Sequence, residues 1–286
     1  MRYCLAELGI EVNLKYDYAI RRMKDYKSEF GGTHMRINIE YDNNIVLPPY
    51  KEQLPFQWRF YWLRFDNGDY AAFRTLKNSD YIINYARWNA DATEVNLKIA
   101  DVTRIGGVET EIREFAYLGE LLHLLMPFHN RLILHSSAIS LDNHGIAFSA
   151  DSGTGKSTHT STWRKLFPGC AVINDDEPIL YNNGDGYRLY GAPWSGKSDI
   201  NSNISAPLDA IVCLAQDKTN HIERISPRLS LPFLLNQTRP TPLPERENLK
   251  INILSDILST TNIYMLGCRP DDEAAILCKE KIWKEV

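Results

Sequence analysis

The segment that most constrains this chain is ADSGTGKST at positions 150–158. It follows a short apolar run, GIAFSA at 145–150, and precedes a segment at 160–167 whose apolar residues have helical spacing. When a glycine-rich turn links a buried strand to a helix, backbone N–H groups and the positive end of the helix dipole converge on one point. The order of these pieces therefore predicts a strand, a phosphate-binding loop and a helix.

The residues inside this segment suit the contacts that a nucleoside triphosphate needs. Gly153 and Gly155 let the backbone come close to phosphate oxygens. Lys156 can reach the β- and γ-phosphates, and the hydroxyl of Ser157 can meet a Mg²⁺ ion. The segment is typical of a site that binds ATP together with magnesium.

A second segment, GAPWSGKS at 191–198, matches the phosphate-loop pattern G-x-x-x-x-G-K-[ST] at every position, whereas the first has Ala150 where the pattern has glycine. Pro193 nevertheless has no N–H group to donate, and Trp194 would crowd a bound phosphate. The residues that follow are rich in Ser and Asn and show no helical spacing. We therefore predict that this segment does not bind nucleotide. It is either a rigid loop that brings Lys197 towards the transferred phosphate or its acceptor, or a plain surface turn.

Two adjacent acids, Asp175 and Asp176, follow the strand-like segment CAVIN at 170–174. Ligands of open α/β sheets bind at the carboxyl ends of strands, and phosphoryl transfer needs a metal carboxylate and a group that positions the acceptor hydroxyl. Because neighbouring side chains at a strand end point to opposite sides, one acid can hold Mg²⁺ while the other faces the acceptor. The sequence leaves open which acid has which role.

Strand patterns dominate residues 1–111. The segment FQWRFYWLRF is followed by an Asn-Gly turn and another apolar run, which predicts a hairpin. The clearest helix pattern occupies 113–128, and we place a domain boundary just before it. The predicted fold class is α/β with some α+β character, in which a smaller strand-rich domain at 1–111 precedes a nucleotide-binding domain with a mixed sheet at 112–286. The Pro-rich, polar segment 228–250 is predicted to be a surface loop.

Composition and charge argue against several function classes. The net charge is −4 and the pI is about 6.0, so no basic surface for nucleic acid is expected. The sequence has no run of about 18 apolar residues that could span a membrane, and its N-terminus lacks the apolar core of a signal peptide. The five cysteines are scattered without metal-ligand spacing, which is typical of reduced thiols. We therefore expect a cytoplasmic protein.

The segments HSSAI, SGTGKSTHT, NDDEP and YGAPWSGK, in this order and spacing, resemble the HPr kinase/phosphorylase-like proteins, which share their nucleotide-binding fold with phosphoenolpyruvate carboxykinases. The resemblance covers roughly residues 130 to 215 and points to the HPr-kinase-like branch of that family. It implies a P-loop-containing, carboxykinase-like C-terminal domain. It also implies that the triphosphate is cradled by the cofactor-binding residues Ser152, Gly153, Thr154, Gly155, Lys156, Ser157 and Thr158.

The resemblance implies roles for the other candidate residues as well. His135 matches a histidine near the reacting phosphate, and Ser157 would ligate Mg²⁺. Asp175 would act as the base on the acceptor hydroxyl, with Asp176 assisting either Asp175 or the metal. From the residues alone, His135 can equally be a hydrogen-bonded core histidine, and Lys197 can be a solvated lysine. Four arginines are candidates for a cation beside the transferred phosphate: Arg224, Arg228, Arg239 and Arg269.

These features together predict an ATP- and Mg²⁺-dependent kinase whose acceptor is a hydroxyl, with serine on a protein or peptide as the first choice. A kinase for a small-molecule hydroxyl and a nucleotide-sensing module without transfer activity are the two alternatives. The chain lacks the Glu-, Arg- and Gly-rich loop that follows the acids in HPr kinases, so HPr itself is not the expected acceptor. A homo-oligomer is implied by the family resemblance alone.

Overall fold

The computed structural model describes residues 1–29 and 31–284 of the chain. Contacts divide the chain into two compact units. The first contains Met1–His129 together with Arg239–Asn248, and the second contains Asn130–Thr238 together with Leu249–Val286. None of the helices formed by the described residues is both long and apolar enough to cross a membrane.

In the described residues, the first unit is built on an eight-stranded sheet with strand order β1-β2-β3-β8-β7-β6-β5-β4. The strands are β1 (Arg2–Leu5), β2 (Leu8–Val12), β3 (Met35–Tyr41), β4 (Glu52–Gln57), β5 (Phe60–Arg64), β6 (Tyr70–Thr75), β7 (Ile82–Trp88) and β8 (Glu94–Ile99). The short pair β9 (Arg104–Ile105) and β10 (Val108–Glu109) and the helices α1 (Asp17–Arg22) and α2 (Thr110–Leu125) complete it, with 3₁₀ turns at Lys24–Tyr26 and Met126–His129. The predicted strand-rich N-terminal region is confirmed.

Helix α2 belongs to the first unit because its buried face carries side chains that bind that unit's backbone. The fully buried carboxylate of Glu114 accepts hydrogen bonds from the backbone N–H groups of Lys15 (2.8 Å) and Tyr16 (3.2 Å) and from the hydroxyl of Tyr41. Arg113, also buried, donates to the carbonyl of Ala100 at 3.1 Å. The compact units therefore divide after this helix, whereas the sequence pattern placed the domain boundary before it.

The second unit contains the remaining strands and helices. Its strands are β11 (Arg131–Ile133), β12 (Ser136–Leu141), β13 (His144–Ser149), β14 (Ala171–Asn174), β15 (Ile179–Asn182), β16 (Tyr187–Tyr190), β17 (Ser205–Gln216), β18 (His221–Arg224) and β19 (Asn262–Cys268). Its helices are α3 (Lys156–Leu166), α4 (Pro227–Asn236), α5 (Pro244–Thr260), whose residues 244–248 count with the first unit, and α6 (Asp272–Trp283).

The sheet of the second unit is mixed, as predicted. The central strand β17 runs parallel to β13 on one side and to β19 on the other. Strand β12 pairs antiparallel with β13 and β14, and the hairpin of β15 and β16 joins the first residues of β17 antiparallel. The carboxyl ends of β13, β17 and β19 therefore meet at one edge of the sheet, which is where α/β sheets hold their ligands.

Two apolar clusters fix this edge from both faces of the sheet. One packs Phe148 of β13 and Val212 of β17 against Trp163 of α3, all of them completely buried. The other packs Ile211 of β17 against Leu254 of α5. Because both faces are covered by helices, the parallel strands form a rigid platform for the loops that leave their carboxyl ends.

The prediction of a surface loop at residues 228–250 is wrong. Helix α4 occupies most of its first half, and α5 begins at Pro244. Proline is tolerated in the first turn of a helix, because the N–H group that it lacks has no partner in the helix there. Pro227 and Pro244 occupy such first-turn positions, whereas Pro232 lies inside α4.

Candidate functional site

The loop at 150–155 leaves the end of β13 and opens directly into α3, which is the predicted strand, loop and helix. Gly155 stands at the N-cap of α3 with φ +117°, a conformation that side-chain-bearing residues rarely adopt. Ala150, the departure from the usual pattern, is fully buried in the apolar cluster of β13 and α3. Its methyl group therefore adds to the core at a position where the pattern has glycine.

A cavity of about 490 Å³ lies over this loop and collects nearly all of the predicted site residues. Its lining consists of His135, Ser152, Gly153, Gly155, Lys156, Ser157, Thr158, Asp175, Asp176, Ser195, Gly196, Lys197 and Ser198. Thr154, the remaining predicted residue, lines a neighbouring cavity. The structure thus brings the two Gly-Lys-Ser segments and the two acids to the same cavity.

Lys156 extends from the first turn of α3 back towards the start of the loop. Its Nζ donates to the carbonyl of Ala150 at 2.8 Å and lies 3.2 Å from Nε2 of His135. Burial lowers the pKa of the Lys156 ammonium, although the carboxylates of Asp176, Asp151 and Asp175 act in the opposite direction. The cavity therefore holds a partly desolvated cation, which an anionic ligand would stabilise.

The two acids have different surroundings. Asp175 is buried, and its Oδ1 accepts from the hydroxyl of Ser137 at 2.7 Å and from that of Thr160 at 3.5 Å. Asp176 is more exposed, with its Oδ1 3.4 Å from Nε2 of His135. One carboxylate is thus held in a fixed orientation by hydroxyl groups, and its neighbour faces the cavity beside the histidine.

The loop at 191–198 connects β16 to β17 and opens no helix. It packs directly on Asp176, because a Cβ placed on Gly196 would lie 2.6 Å from Oδ2 of that acid, and Gly196 itself has φ +61°. A side chain at Gly196 would therefore displace the carboxylate of Asp176 and adopt a backbone conformation that glycine takes most readily. Lys197 lines the same cavity as Lys156, while this loop lacks the strand and helix context of a phosphate loop.

Asn174 is a site residue that our sequence reasoning missed. It is fully buried, and its Oδ1 accepts from the backbone N–H groups of Asp176 (2.8 Å) and Glu177 (2.7 Å). Its Nδ2 donates to the carbonyls of Ala192 (2.9 Å) and Trp194 (2.8 Å). The side chain therefore joins the acid-bearing loop to the loop at 191–198. The only signal in the sequence is its position immediately before the two acids.

The four candidate arginines lie elsewhere. Arg269 pairs with Asp271 at 2.7 Å and with Glu273 at 2.5 Å, and it lines the neighbouring cavity. Arg239 belongs to the first unit, where its guanidinium lies 4.3 Å from the ring centre of Trp58. Within residues 1–29 and 31–284, none of the four arginines lines the 490 Å³ cavity. Lysines supply the cationic side chains there.

The neighbouring cavity, of about 390 Å³, was not anticipated from the sequence. It shares Gly153, Gly155 and Thr158 with the first cavity and extends to the carboxyl ends of β17 and β19. Its other lining residues are Thr154, His159, Thr162, Leu214, Gln216, Asp217, Cys268, Arg269, Pro270 and Asp271. Gln216 donates to the carbonyl of Thr154 at 3.3 Å, which ties this cavity to the loop.

Oxygen-bearing side chains beside the phosphate loop could hold a magnesium ion. The described part of the chain has no group of three or more His, Cys, Asp or Glu residues that could hold a metal by themselves. The hydroxyl of Ser157 and the carboxylates of Asp175 and Asp176 do line one cavity. Magnesium prefers oxygen ligands, binds through one or two carboxylates, and shares its remaining positions with water and phosphate. These residues therefore fit Mg²⁺ bound together with a nucleotide.

His159 gives a testable consequence of the way α3 is packed. It is buried, and its Nε2 accepts a hydrogen bond from the indole N–H of Trp163 at 3.0 Å. Burial lowers the pKa of His159 to about 4, so above that pH this ring stays neutral in the folded protein. In the unfolded chain the same ring has the ordinary histidine pKa of about 6.5 and becomes protonated below that pH. The folded state therefore loses stability as the pH falls from about 6.5 to about 4, by up to roughly 3 kcal/mol.

We expect His159→Gln, which keeps a hydrogen-bond acceptor but does not titrate, to lose less stability than the wild type over that pH range. Urea unfolding at several pH values, without nucleotide or metal, measures the difference. Equal pH dependence in the two proteins would contradict the neutral, buried state of His159.

No family model matches the chain, and no curated protein matches it. Among solved structures, the HPr(Ser) kinase/phosphatase from Coxiella burnetii is similar at 10% sequence identity, over 54% of this chain and 97% of that chain, with a TM-score of 0.32.

Proposed function

We propose that this chain is an ATP-dependent phosphotransferase that transfers the γ-phosphate to a hydroxyl group. The observation that supports this proposal most strongly is the 490 Å³ cavity. Its lining combines a glycine-rich loop at a helix N-terminus and Lys156 with the side chains of Asp175, Asp176 and Lys197. Phosphoryl transfer needs this combination of a phosphate cradle, a cation and carboxylates, because its catalysis depends mainly on positioning and charge.

The triphosphate would bind along the loop backbone from Ser152 to Lys156, at the N-terminus of α3. Lys156 would contact the β- and γ-phosphates, and binding them would compensate the desolvation that lowers the pKa of its ammonium. The nucleoside would then occupy the 390 Å³ cavity, which begins at the same loop. Leu214, Cys268 and Pro270 give this second cavity apolar walls of the kind that a base requires.

Ser157 and Asp176 would hold Mg²⁺, which when bound neutralises charge on the phosphates. Asp175 would act as the base that orients the acceptor hydroxyl, since the hydroxyls of Ser137 and Thr160 already fix its carboxylate. An aspartate is a weak base at neutral pH, but a loose transition state needs orientation of the hydroxyl more than early proton removal. We place His135 beside the transferred phosphate, where it contacts both Lys156 and Asp176.

The acceptor that we propose is a serine hydroxyl on a protein or peptide, with Lys197 binding the transferred phosphate or an acidic group of the acceptor. A small-molecule hydroxyl remains the alternative acceptor, and nucleotide sensing without transfer is the alternative activity. The experiments below separate these three cases.

Variants of Lys156 and of the two aspartates separate nucleotide binding from phosphate transfer. We expect Lys156→Ala to lose both ATP-induced thermal stabilisation and turnover, because it removes the cation that contacts the phosphates. Asp175→Asn and Asp176→Asn should keep ATP binding, and Asp175→Asn should lower turnover by at least about 100-fold, the usual size of a base's contribution. Turnover is measured as ADP release in the presence of cell extract fractionated by size, which also tells a protein acceptor from a small molecule.

Unchanged turnover in both aspartate variants would show that the catalytic assignment is wrong. The wild type could instead be stabilised by ATP but release no ADP with any fraction of the cell extract. That result would indicate a nucleotide-sensing module.

A variant of Lys197 tests the role of the loop at 191–198. Lys197→Ala should raise the acceptor KM or lower kcat by about tenfold, the effect of losing one charge-assisted contact, and should leave ATP affinity nearly unchanged. The matched control is Lys77→Ala, which removes an exposed lysine of the first unit. Steady-state kinetics with the acceptor fraction found above measure both. If Lys197→Ala behaves like Lys77→Ala, the loop at 191–198 takes no part in the reaction.

The reactivity of Cys268 tests the position of the nucleoside. The half-buried Cys268 lines the 390 Å³ cavity, and burial together with Asp271 raises the pKa of its thiol. We therefore expect slow alkylation of Cys268 by iodoacetamide at mildly alkaline pH. ATP should slow it further by filling that cavity, whereas inorganic tripolyphosphate should not, since it lacks a nucleoside.

Peptide mass spectrometry follows the labelling, and Cys4, half-buried in the first unit, is the internal control whose labelling should not respond to either ligand. Equal protection of Cys268 by ATP and tripolyphosphate would place the nucleoside elsewhere.

A further inference from the structure

We infer that Gln237 is a positioning residue that fixes the tautomer of His135, so that Nε2 of this ring accepts a hydrogen bond from Lys156. Gln237 follows α4, is almost completely buried, and lies 102 residues from His135 in the chain. The effect on turnover rests on the proposed function, whereas the tautomer itself does not.

The amide of Gln237 connects two parts of the site. Asp151 belongs to the phosphate loop, and its Oδ1 lies 2.9 Å from Nε2 of Gln237. Oε1 of Gln237 lies 3.0 Å from Nδ1 of His135. The backbone adds a third link, because the N–H of His135 donates to the carbonyl of Gln237 at 2.9 Å. Gln237 is therefore held at both ends of its side chain and at its main chain.

These partners determine how the amide is oriented. An ionised carboxylate can only accept hydrogen bonds, so the NH₂ group of Gln237 must face Asp151. The carbonyl oxygen of the amide then faces His135, and an amide oxygen can only accept. Nδ1 of His135 must therefore carry a proton.

The consequence appears at the other ring nitrogen. Nε2 of His135 lies 3.2 Å from Nζ of Lys156 and 3.4 Å from Oδ1 of Asp176. In the neutral ring with Nδ1 protonated, Nε2 has a lone pair and accepts from the ammonium of Lys156. In the other tautomer, an N–H at Nε2 would face the N–H groups of Lys156 and would donate to Asp176 instead. Gln237 thus decides which of the two catalytic partners His135 serves.

The hydrogen bonds form a relay that starts and ends on the same phosphate loop. It runs from Asp151 through Gln237 and His135 to Lys156, whose ammonium returns to the carbonyl of Ala150. These hydrogen bonds hold Lys156 over the loop. They also keep Oδ1 of Asp176 available to other partners, because no ring N–H of His135 donates to it. Gln237 would therefore support transfer without touching the nucleotide.

Three variants of the full chain test this inference. Gln237→Leu keeps the approximate volume but removes both hydrogen bonds of the amide. Gln237→Glu keeps an acceptor for Nδ1 of His135 and removes the donor to Asp151. Thr238→Val is the matched control, because Thr238 is buried in the same turn and its hydroxyl bonds to the carbonyl of Leu235, away from His135.

The direct readout is the long-range ¹H–¹⁵N spectrum of the histidine rings at one neutral pH without nucleotide, with His135 assigned by its loss in His135→Asn. We expect a proton on Nδ1 and none on Nε2 in the wild type and in Thr238→Val. Nδ1 should remain protonated in Gln237→Glu, whereas in Gln237→Leu the proton should move to Nε2. A wild-type His135 pattern in Gln237→Leu would overturn the inference.

Kinetics with the acceptor fraction give the second readout. Gln237→Leu should lower kcat by roughly tenfold, the usual effect of one lost neutral hydrogen bond, with little change in KM for ATP. Thr238→Val should have wild-type turnover. An altered His135 spectrum with unchanged turnover would also overturn the inference, because His135 would then be positioned without serving the transfer. If the wild type transfers no phosphate at all, the proposed function fails, while the spectrum still decides whether Gln237 fixes the tautomer.

Discussion

The buried amide of Asn174 is the interaction on which the geometry of the cavity depends most. An asparagine side chain can accept two hydrogen bonds and donate two, and Asn174 makes all four inside the protein. Two of them hold the loop that carries Asp175 and Asp176, and the other two hold the loop that carries Lys197. Because one planar group fixes both loops, the acids and the lysine keep a constant relation to each other at the end of β14.

The opposite wall of the cavity is fixed by the parallel strands. The phosphate loop leaves β13 at the edge where β17 and β19 also end, and apolar clusters cover both faces of these strands. Lys156 and Lys197 therefore share with two carboxylates a cavity whose walls do not need to form on binding. Such a preorganised set of opposite charges suits a ligand that is itself strongly anionic and brings a cation with it.

The parts of this site that could be predicted are those encoded by neighbouring residues. The strand, loop and helix at 145–167 follow from local periodicity and from glycine. Asn174 and Gln237 could not be found in this way, because their importance lies in partners that are distant in the chain, such as His135 for Gln237. Helix α2 was predicted, but its place in the first unit depends on Glu114 reaching the backbone of Lys15, 99 residues away. The helices at 227–260 were missed because proline was interpreted as a loop signal, whereas Pro227 and Pro244 begin helices and Pro232 lies inside α4.

The two Gly-Lys-Ser segments illustrate why context outweighs the match to a motif. The segment with the better match, at 191–198, lies between two strands and packs on Asp176, whereas the imperfect one opens α3 and keeps Ala150 in the core. The central claim is that these elements together transfer phosphate from ATP to a hydroxyl. Incubation with ATP labelled at the γ-phosphate, followed by isolation of the acceptor fraction, tests it most directly. The account predicts label bound covalently to a hydroxyl of the acceptor with the wild type and almost none with Asp175→Asn. Label released only as inorganic phosphate, or equal labelling by both proteins, would contradict it.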